Sequence, residues 1–337
     1  MEQVAEVVRR SLASGERPVV GRVIDLKGFS TLPVDELIAI DGKGRFHGDL
    51  LGRRGAEALG AAARDLPGGG LATVAVEIHG PEVKELGLAC GGRADVLLQP
   101  ASYIPERLWA LLAERSPAAM VTVIDGPAAS PSALAVDRDG RSWGMLAAGA
   151  AAVADRLVDE ARSLIGEGRN AKRRVETDAG VALVEAWVPT PRLVVVGSGE
   201  MVGAIDAQAR LLGWETVATE SVDDVEGMLD WAGATAALVV LSHDPHVDAP
   251  VLAAGLSRPI PYIGAMGSRS TQSRRLDRLA AMGVAEEQLR RIHRPIGLNL
   301  GGRRAPEVAL AIVAEILAVH CGRDAKPLTE TVGSIHG

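Results

Sequence analysis

A cysteine followed by two glycines is the first feature of this sequence that could do chemistry. The segment KELGLACGGRADVLLQP, residues 84–100, contains Cys90, Gly91 and Gly92, and the whole chain of 337 residues has two cysteines. A free cysteine often behaves as a small buried hydrophobic residue. Two adjacent glycines, however, leave the backbone open to close approach by a ligand. The turn is therefore a candidate ligand contact, and a buried thiol in a tight bend is the alternative.

A second group of polar side chains occupies the segment LSHDPHVDAP, residues 241–250. Histidine titrates near neutral pH, so His243 is a candidate acid or base. Asp244 directly before Pro245 is typical of a helix N-terminus, where a carboxylate caps the first turn. Together with Asp248 these residue types could also bind a metal ion, although their spacing matches no strong zinc pattern.

Three glycine-rich turns could hold a phosphate or another anion. Their glycines are Gly197 and Gly199 in VVVGSGE, Gly264 and Gly267 in YIGAMGSR, and Gly297 and Gly301 in PIGLNLGG. The first two turns lie between a predicted strand and a predicted helix, where the helix N-terminus offers N–H donors and a positive dipole end. Ser268 can cap the second of these helices, and Arg269 beside it adds a guanidinium group.

The first glycine turn has the strand–turn–helix context of a dinucleotide-binding site. The dinucleotide fingerprint needs Gly or Ala three residues after Gly199, and this chain has Val202 there. Glu220 lies about 20 residues further on, where an acidic residue can hold a ribose hydroxyl. Glu200, in contrast, brings a negative charge to the place of a pyrophosphate. NAD(P) binding is therefore an open alternative to a Rossmann scaffold that serves another ligand.

These residues need an α/β framework to position them, and the sequence predicts one after residue 190. Strands are expected at LVVVG, ETVAT, AALVVLS and PYIGA, with helices between them. Regular alternation of this kind is typical of a Rossmann-like, doubly wound parallel sheet with helices on both faces. The helix over 305–320 is apolar on nearly every side, so we expect it to pack deep against that sheet.

The sequence before residue 190 predicts a mixed α+β domain without a clean internal repeat. Its strands include PVVGRVIDL, ELIAID and GRFHGDL, and a helix is expected over GAEALGAAARDL. The proline-rich segment PTPR, residues 189–192, marks the domain boundary. We therefore predict an N-terminal domain over 1–190, a C-terminal domain over 191–325 and a flexible tail over 326–337.

Composition and charge exclude several classes of function. A net charge of −7 and a pI near 5.6 argue against a nucleic-acid-binding protein. The N-terminal segment MEQVAEVVRR lacks the apolar core of a secretory signal, and the apolar run GMLAAGAAAVA is shorter than the ~20 residues that span a bilayer. Two cysteines cannot build a disulfide framework. We expect a cytoplasmic protein without nucleic-acid or membrane partners.

The CGG turn, SHD…D, YIGAMGSR and PIGLNLGGRRAPEVALAIVAEI, in this order, resemble the XdhC/CoxI family. Members of that family are maturation factors of xanthine and carbon monoxide dehydrogenases. The resemblance implies a protein that binds the molybdenum cofactor, as molybdopterin or its cytosine dinucleotide, while a terminal oxo ligand is exchanged for sulfide. It also implies two partners, a cysteine desulfurase and the apo-enzyme of a molybdenum hydroxylase. An accessory protein or chaperone, rather than an enzyme with turnover of its own, is therefore expected.

The resemblance also assigns cofactor contacts residue by residue. The positions that match the family's motifs are Cys90, Gly91, Gly92, His243, Asp244, Asp248, Gly264, Gly267, Ser268, Arg269, Gly297 and Gly301. Gly197 and Gly199 join them as the Rossmann phosphate turn, and Cys90 is implied as a soft sulfur or metal contact. The chain departs from the family at LLGRRGAEAL, where Gly55 stands in the region of a second cysteine. This departure removes a thiol from any two-cysteine sulfur relay.

Two rival functions remain open from the sequence. One is an NAD(P)-dependent oxidoreductase that uses the Rossmann turn directly, and the other is a metal-dependent enzyme built on His243, Asp244 and Asp248. Whichever of the three functions holds, we expect a homodimer, because closed twofold assemblies are common among soluble proteins.

Overall fold

The structure, a computed structural model, describes residues 1–27, 36–66, 70–78 and 92–331. Cys90 and Gly91 therefore lie outside the described residues. The chain divides into two compact units, Met1–Val188 and Pro189–Gly337. In the part of the chain that the structure describes, no helix has the length and apolarity to cross a membrane.

The N-terminal unit contains two five-stranded sheets. The strands of the first are β1 (Val19–Lys27), β2 (Leu37–Ile40), β3 (Phe46–His47), β4 (Ala72–Ile78) and β5 (Gly92–Pro100). The strands of the second are β6 (Ala118–Asp125), β7 (Ala133–Asp137), β8 (Ser142–Gly144), β9 (Ala171–Thr177) and β10 (Gly180–Trp187). Their orders are β3-β2-β1-β5-β4 and β8-β7-β6-β10-β9, and the neighbouring strands run antiparallel. The predicted α+β character of this unit is confirmed.

The N-terminal unit is an internal duplication. Its α-helices within the described residues are α1 (Glu2–Ala13), α2 (Ala56–Asp65), α3 (Glu106–Ala113) and α4 (Ala154–Gly166). Among the described residues, the order helix, three strands, helix, two strands occurs twice, and the second sheet repeats the strand order of the first. The prediction that this region has no clean repeat is therefore wrong.

The same turn marks both halves of the duplication. The sequence D-x-x-G-R-x-x-G occurs at 41–48 and again at 137–144. Asp41 Oδ1 accepts the backbone N–H groups two and four residues later, both at 2.9 Å. Asp137 Oδ1 accepts the equivalent two N–H groups at 3.0 and 2.9 Å. In both halves, an aspartate side chain accepts the backbone N–H groups of the tight turn that follows it.

Residues from both halves share one of the hydrophobic clusters of this unit. Val8 of α1 packs in the same cluster as Trp109 of α3, and both are fully buried. A buried ion pair also joins the halves, with Arg22 Nε of β1 lying 2.6 Å from Glu185 Oε2 of β10. The two halves are thus one folding unit rather than two domains.

The C-terminal unit is built on a parallel sheet. Its strands are β11 (Arg192–Val196), β12 (Glu215–Thr219), β13 (Ala236–Val240), β14 (Tyr262–Ala265) and β15 (Ile292–His293). They lie in the order β12-β11-β13-β14-β15, and the neighbours pair in parallel register. The predicted doubly wound, Rossmann-like sheet is confirmed.

Helices cover both faces of the parallel sheet. They are α5 (Glu200–Leu211), α6 (Val222–Ala232), α7 (Pro245–Leu256), α8 (Arg269–Ala281), α9 (Glu286–Leu289) and α10 (Ala305–His320). Alternate residues of the strands point to opposite faces. Leu193 and Val195 pack with α5 and α10, whereas Val194 and Val196 pack with α6, α7 and α8. Short 3₁₀ helices in the two units lie at Leu51–Arg53, Ala101–Tyr103, Ala148–Val153, Gly233–Thr235 and Leu328–Glu330.

Helix α10 is less deeply buried than its sequence predicts. Ile312 and Ile316 are buried against the sheet, but the side chains of Leu310 and Leu317 are 48% and 39% exposed. A helix beside a sheet buries the stripe of residues that faces the sheet, and the opposite stripe stays at the surface whatever its composition. The predicted packing of this helix against the sheet is therefore confirmed for one face, and the opposite face lies at the surface.

Candidate functional site

The predicted site residues of the C-terminal unit collect at the carboxyl edge of the parallel sheet. In a sheet of this strand order the direction of the connections reverses between β11 and β13, and ligands bind in the crevice beyond that point. Two clefts lie at this edge. The loop that follows β13 contributes to both, through Ser242 and Asp244 to one and through His243 to the other.

The first of these, the switch-point cleft, has a volume of about 400 Å³. It is lined by Val196, Gly197, Ser198, Glu220, Leu241, Ser242, Asp244 and Val247. Gly199 caps the N-terminus of α5 with a φ of 82°, and a Cβ atom there would meet nothing within 4 Å. This left-handed φ favours glycine, and the open space beside the backbone lets a ligand approach the helix N-terminus.

The switch-point cleft is rich in hydrogen-bond acceptors. Ser198 Oγ donates to Glu220 Oε1 at 2.6 Å, which holds that carboxylate across the cleft mouth. Asp244 accepts the backbone N–H of His246 at 2.9 Å, so the predicted N-cap of α7 is confirmed. Glu200, the first residue of α5, is exposed at the same helix N-terminus. This arrangement of carboxylates suits a ligand's O–H and N–H donors better than a phosphate.

The second cleft, here called the serine cleft, has a volume of about 460 Å³. It is lined by His243, Met266, Gly267, Ser268, Thr271, Pro295 and Ile296. Ser268 Oγ accepts the backbone N–H of Thr271 at 3.3 Å, so the predicted N-cap of α8 is confirmed. The cleft thus combines two hydroxyl groups, a histidine and the positive end of a 13-residue helix.

Arg269 is the first residue of α8 and is exposed beside the serine cleft. It forms no ion pair within the described residues, so its guanidinium is available to an anion that binds at this helix N-terminus. Arg274, one turn further along the same helix, is also exposed. This residue provides a matched comparison because it lies five residues further from the helix N-terminus than Arg269.

A buried arginine positions the two loops that border the serine cleft. Arg275 Nε donates to Asp248 Oδ2 at 2.9 Å, and both side chains are 1% exposed. Arg275 also donates to the carbonyl oxygens of Ser242 at 3.2 Å and Met266 at 3.0 Å. It therefore links the loop after β13 to the loop after β14. Asp248, predicted as a cofactor contact, orients this arginine from within the core.

A second buried network supports the loop that follows β15. Glu315 of α10 accepts hydrogen bonds from Tyr262 Oη at 2.6 Å and from the backbone N–H of Gly297 at 2.8 Å. Glu315 Oε1 lies 3.2 Å from His293 Nδ1, and the His293 ring stacks on Tyr262 at a centroid distance of 4.6 Å. The predicted turn residue Gly297 is thus anchored through its amide to the helix behind it.

This network shifts two pKa values. Burial alone raises the pKa of Glu315, but the hydrogen bonds from His293, Tyr262 and the Gly297 amide outweigh it and lower that pKa below its ordinary value. Burial, together with the adjacent Glu315 carboxylate, raises the pKa of Tyr262 well above its ordinary range. Glu315 is therefore ionised and Tyr262 protonated at neutral pH, which are the states in which this hydrogen bond forms.

Gly264 has a structural reason for being glycine. It lies within β14 and is buried, and an added Cβ would fall 2.4 Å from Ile296 Cδ1 and 2.8 Å from Tyr262 Cε1. Ile296 lines the serine cleft, so a larger residue at position 264 would displace part of the cleft wall. Gly264 therefore leaves the space that Ile296 needs to form part of the wall of the serine cleft.

The remaining predicted residues lie apart from the two clefts. Gly301 has no atom within 4 Å of an added Cβ and lies in the exposed loop before α10. Gly92 begins β5 of the N-terminal unit and pairs with Ile78 of β4. Cys90 and Gly91 fall outside the described residues, and their proposed contacts stay predictions.

A metal centre on His243, Asp244 and Asp248 finds no support in the described part of the chain. No group of three or more His, Cys, Asp or Glu residues there is placed to hold a metal ion. Asp244 caps α7 and Asp248 is paired with Arg275, so two of the three carboxylate and imidazole groups already have partners.

Sequence reasoning missed Arg275 and Glu315. Gln272, Arg275 and Leu279 are the buried residues of α8, and their spacing of three and four places them on one helix face. The sequence therefore contains a sign that Arg275 is buried, because it shares a helix face with Leu279. Asp248 in the preceding helix is the acidic residue that could pair with it. The sequence contains a similar sign for Glu315, which is the single carboxylate in the apolar segment VALAIVAEILAV.

Comparison with known proteins identifies a domain within the C-terminal unit. A family model described as the XdhC Rossmann domain matches residues 193–316. The matched range includes the glycine turns, the His243 loop and both clefts. The similarity therefore covers the part of the chain that carries the described site.

Two individual proteins show more distant similarity. The uncharacterized protein YqeB of Escherichia coli (strain K12) is 27% identical over 240 residues, which cover 61% of this chain and 44% of YqeB. The chain thus spans less than half the length of that relative. The crystal structure of a xanthine dehydrogenase from Bacillus halodurans has a TM-score of 0.49 and 16% identity, over 97% of this chain and 99% of that chain.

Proposed function

We propose that the protein is an accessory factor for a molybdenum hydroxylase of the xanthine dehydrogenase type, from the match of residues 193–316 to the family model of the XdhC Rossmann domain. The protein binds the molybdenum cofactor, as molybdopterin or its cytosine dinucleotide, and holds it as cargo for insertion into the apo-enzyme. The cargo supplies the redox-active metal of the recipient enzyme. In this proposal the chain has no catalytic turnover of its own.

The observation that carries the proposal is the chemistry of the serine cleft. The cofactor ends in a phosphate or a pyrophosphate, which needs N–H and O–H donors in a positive potential. Ser268, Thr271 and the N-terminus of α8 offer these donors, and Arg269 stands beside them. The residues present therefore fit the anionic end of the cargo.

The switch-point cleft fits a different part of the same cargo. A pterin ring carries N–H donors, and the dinucleotide form adds ribose hydroxyls and a cytosine amino group. Glu220, Asp244 and the Ser242 hydroxyl offer acceptors at this cleft. We assign the phosphate to the serine cleft and these donor groups to the switch-point cleft, on either side of the His243 loop.

The metal end of the cargo is assigned to Cys90 from the family motif. A thiolate is a soft ligand and suits a molybdenum centre in a dithiolene environment. A cysteine desulfurase is proposed as the sulfur-supplying partner: a thiol, as the two-electron reductant, releases the desulfurase's persulfide sulfur as hydrogen sulfide, which replaces a terminal oxo ligand that leaves as water. The molybdenum hydroxylase apo-enzyme receives the product. Gly55 in place of a second cysteine leaves Cys90 as the thiol of this turn region.

NAD(P) binding is the second candidate, and one observation favours it. Glu220 lies in the same cleft as the Gly197 turn, which is where an acidic residue binds the ribose of a dinucleotide. However, Glu200 is exposed at the N-terminus of α5, where it repels a pyrophosphate. This candidate therefore ranks below cofactor binding.

The experiment that tests the proposal is a titration of the full chain with molybdenum cofactor released from a molybdenum hydroxylase, with NADH and NADPH as parallel ligands. We expect saturable binding of the cofactor. Arg269→Ala removes a charge-assisted contact worth about 1.5–3 kcal/mol, so the Kd should rise about tenfold or more. Arg274→Ala, on the same helix, is the matched control and should leave the Kd unchanged.

Two further variants separate the parts of the assignment. Cys90→Ser should weaken binding of the intact cofactor while leaving binding of its metal-free pterin form unchanged. Ser268→Ala should weaken both forms, together with a loss of about 1 kcal/mol of stability from the missing N-cap. Equal losses from Arg269→Ala and Arg274→Ala, or binding of NADH without binding of the cofactor, would contradict the proposal.

A further inference from the structure

A third cleft lies in the N-terminal unit, and none of its lining residues is assigned to the cofactor above. It has a volume of about 1070 Å³ and lies between the segment before β1, the turn after β2 and helix α2. Its polar lining residues include Glu16, Arg17, Asp41, Lys43, Arg64 and Tyr103. The volume lies just above the range for small-molecule sites, roughly 300–1,000 Å³.

The side chains that are free to act in this cleft are mainly cationic. Arg17, Lys43 and Arg64 are all exposed, and none of them forms an ion pair within residues 1–27, 36–66, 70–78 and 92–331. The lining therefore presents three positive charges that have no acidic partner in that part of the chain. Positive charges that share a concave surface raise the local concentration of anions.

The aspartate of the cleft does not cancel these charges. Asp41 Oδ2 lies 2.8 Å from Arg45 Nε and 3.1 Å from His47 Nε2, and its Oδ1 accepts two backbone N–H groups. Burial raises the pKa of Asp41, but these hydrogen bonds outweigh it and lower the pKa well below its usual range. Asp41 is thus ionised, and both of its carboxylate oxygens are engaged within the turn. Glu16 is the other acidic residue that lines the cleft, and it has no side-chain partner among the described residues.

The duplicated half provides an internal comparison for this cleft. At the equivalent turn, an added Cβ on Gly140 would lie 2.3 Å from Arg162 Cδ, so that side chain packs over the turn. At Gly44 an added Cβ would meet no atom within 4 Å. The position of Lys43 is taken by Asp139 in the second half. The same turn is therefore open and cationic in the first half and covered in the second.

The cleft also has an apolar floor. Val19, Ile40 and Pro100 line it and are buried, and Leu66 is half-buried beside them. A bare inorganic anion would leave this apolar surface in contact with water, whereas a ligand with an apolar or planar body would cover it. The lining thus combines a recognition site for negative charge with a contact surface for a ring.

We propose that this cleft binds a phosphorylated small molecule of about the size of a nucleoside monophosphate, with its phosphate held by Arg17, Lys43 and Arg64 and its ring on the apolar floor. The residues of this site belong to the N-terminal unit and none of them lines the serine cleft, so nucleotide binding here and cofactor binding there can be tested independently.

Isothermal titration of the full chain with AMP and CMP tests this site, with adenosine, cytidine and inorganic pyrophosphate as comparison ligands. We expect saturable binding of at least one nucleotide, with its nucleoside at least about tenfold weaker because the charge-assisted contacts are lost. The double variant Lys43→Ala/Arg64→Ala should raise the Kd of that nucleotide about tenfold or more. Binding should also weaken with added salt, because exposed charges are screened.

Two control variants distinguish this site from others. Arg162 occupies the same position in α4 as Arg64 does in α2, eight residues after the first residue of the helix. Arg162→Ala and Arg269→Ala should each leave the Kd of the nucleotide unchanged within about twofold. An equal loss in Arg162→Ala, equal affinity for nucleoside and nucleotide, or no saturable binding of either nucleotide would overturn the proposal.

Discussion

Each of the two units buries an arginine beside a carboxylate, and the two pairs have different surroundings. Arg22 is 0% exposed and lies 2.6 Å from Glu185, whereas Arg275 is 1% exposed and lies 2.8 Å from Asp248. Arg22 connects strands of the two halves of a duplicated unit. Arg275 connects two loops at the ligand edge of a parallel sheet.

The two pairs also differ in what else the guanidinium contacts. Arg22 Nη1 donates to the side chain of Gln99 at 2.5 Å, so its partners are side chains of other strands. Arg275 donates to two backbone carbonyls, which belong to the loops around the serine cleft. A buried ion pair is weak evidence for stability on its own. The comparison indicates that the first pair fixes the pairing of two halves, and that the second fixes the geometry of a site.

The largest effect is expected from Arg22→Ala. Removing one partner of a buried pair costs about 3–5 kcal/mol. Glu185 would keep one cation, because Lys172 Nζ lies 3.2 Å from its Oε1, but the buried Gln99 side chain would lose its donor as well. Denaturant unfolding monitored by tryptophan fluorescence, with Trp109 as the buried probe of this unit, measures the loss. The double variant Arg22→Met/Glu185→Met should recover only part of it, because an apolar pair avoids the desolvation of both charges but Lys172 loses its carboxylate partner. A loss under 1 kcal/mol in Arg22→Ala would contradict the role given to this pair.

Arg275→Ala should have the next largest effect, divided between stability and binding. Its partners include backbone carbonyls near the sheet edge, so part of the lost hydrogen bonding can be replaced by water. Asp248, 1% exposed, would lose its cationic partner, so we expect about 3 kcal/mol of lost stability. In contrast to Arg22→Ala, Arg275→Ala should also weaken ligand binding at the serine cleft, because the Ser242 and Met266 carbonyls are no longer held together.

The control for this second prediction is the other arginine. Under conditions where Arg22→Ala is still folded, this variant should bind the molybdenum cofactor at the serine cleft with the same affinity as the unaltered chain. Equal weakening of binding by Arg22→Ala and Arg275→Ala would remove the distinction between a pair that fixes architecture and one that fixes a site.

Glu315→Gln should have a smaller and pH-dependent effect. The pKa of Glu315 is lowered in the folded chain, so its contribution to stability is present above the unfolded pKa and is lost as the pH falls through the folded value. Because the carboxylate is partly accessible to solvent, we expect about 1 kcal/mol at pH 7. The variant should approach the unaltered chain in stability near pH 3, and a constant difference over this pH range would contradict the assignment.

The sequence was sufficient to predict the parallel sheet, because its buried strands are short β-branched runs bounded by glycine turns. It also predicted the caps of α7 and α8, since Asp244 and Ser268 each stand directly before a helix. It did not predict that Asp248 acts through Arg275, because a carboxylate in a polar loop is not distinguished by sequence from one that turns into the core. That distinction depends on which face of α7 the aspartate occupies after folding.

The duplication was missed for a different reason. The shared D-x-x-G-R-x-x-G motif at 41–48 and 137–144 was visible, but the connection between β4 and β5 is much longer than the turn between β9 and β10. Unequal connections shift the spacing between the halves, so no constant period appears. The strand order and the hydrogen bonds of the two aspartate turns show the similarity of the two halves, which the spacing of the sequence does not show.

The smallest effect is expected at Thr122, which occupies the position of Arg22 in the second half. Arg22 pairs with Leu37 and Thr122 with Ala133, each four residues before the aspartate of the conserved turn motif. Thr122 Oγ1 is buried and has no hydrogen-bond partner among the described residues. Replacing such a hydroxyl with a methyl group removes its desolvation cost, so Thr122→Val should be neutral or stabilising by up to about 1 kcal/mol in the same unfolding measurement. A loss of more than 1 kcal/mol would show that both halves need a polar group at this strand position, and the polar partnership would then be a property of the duplicated fold rather than of Arg22 alone.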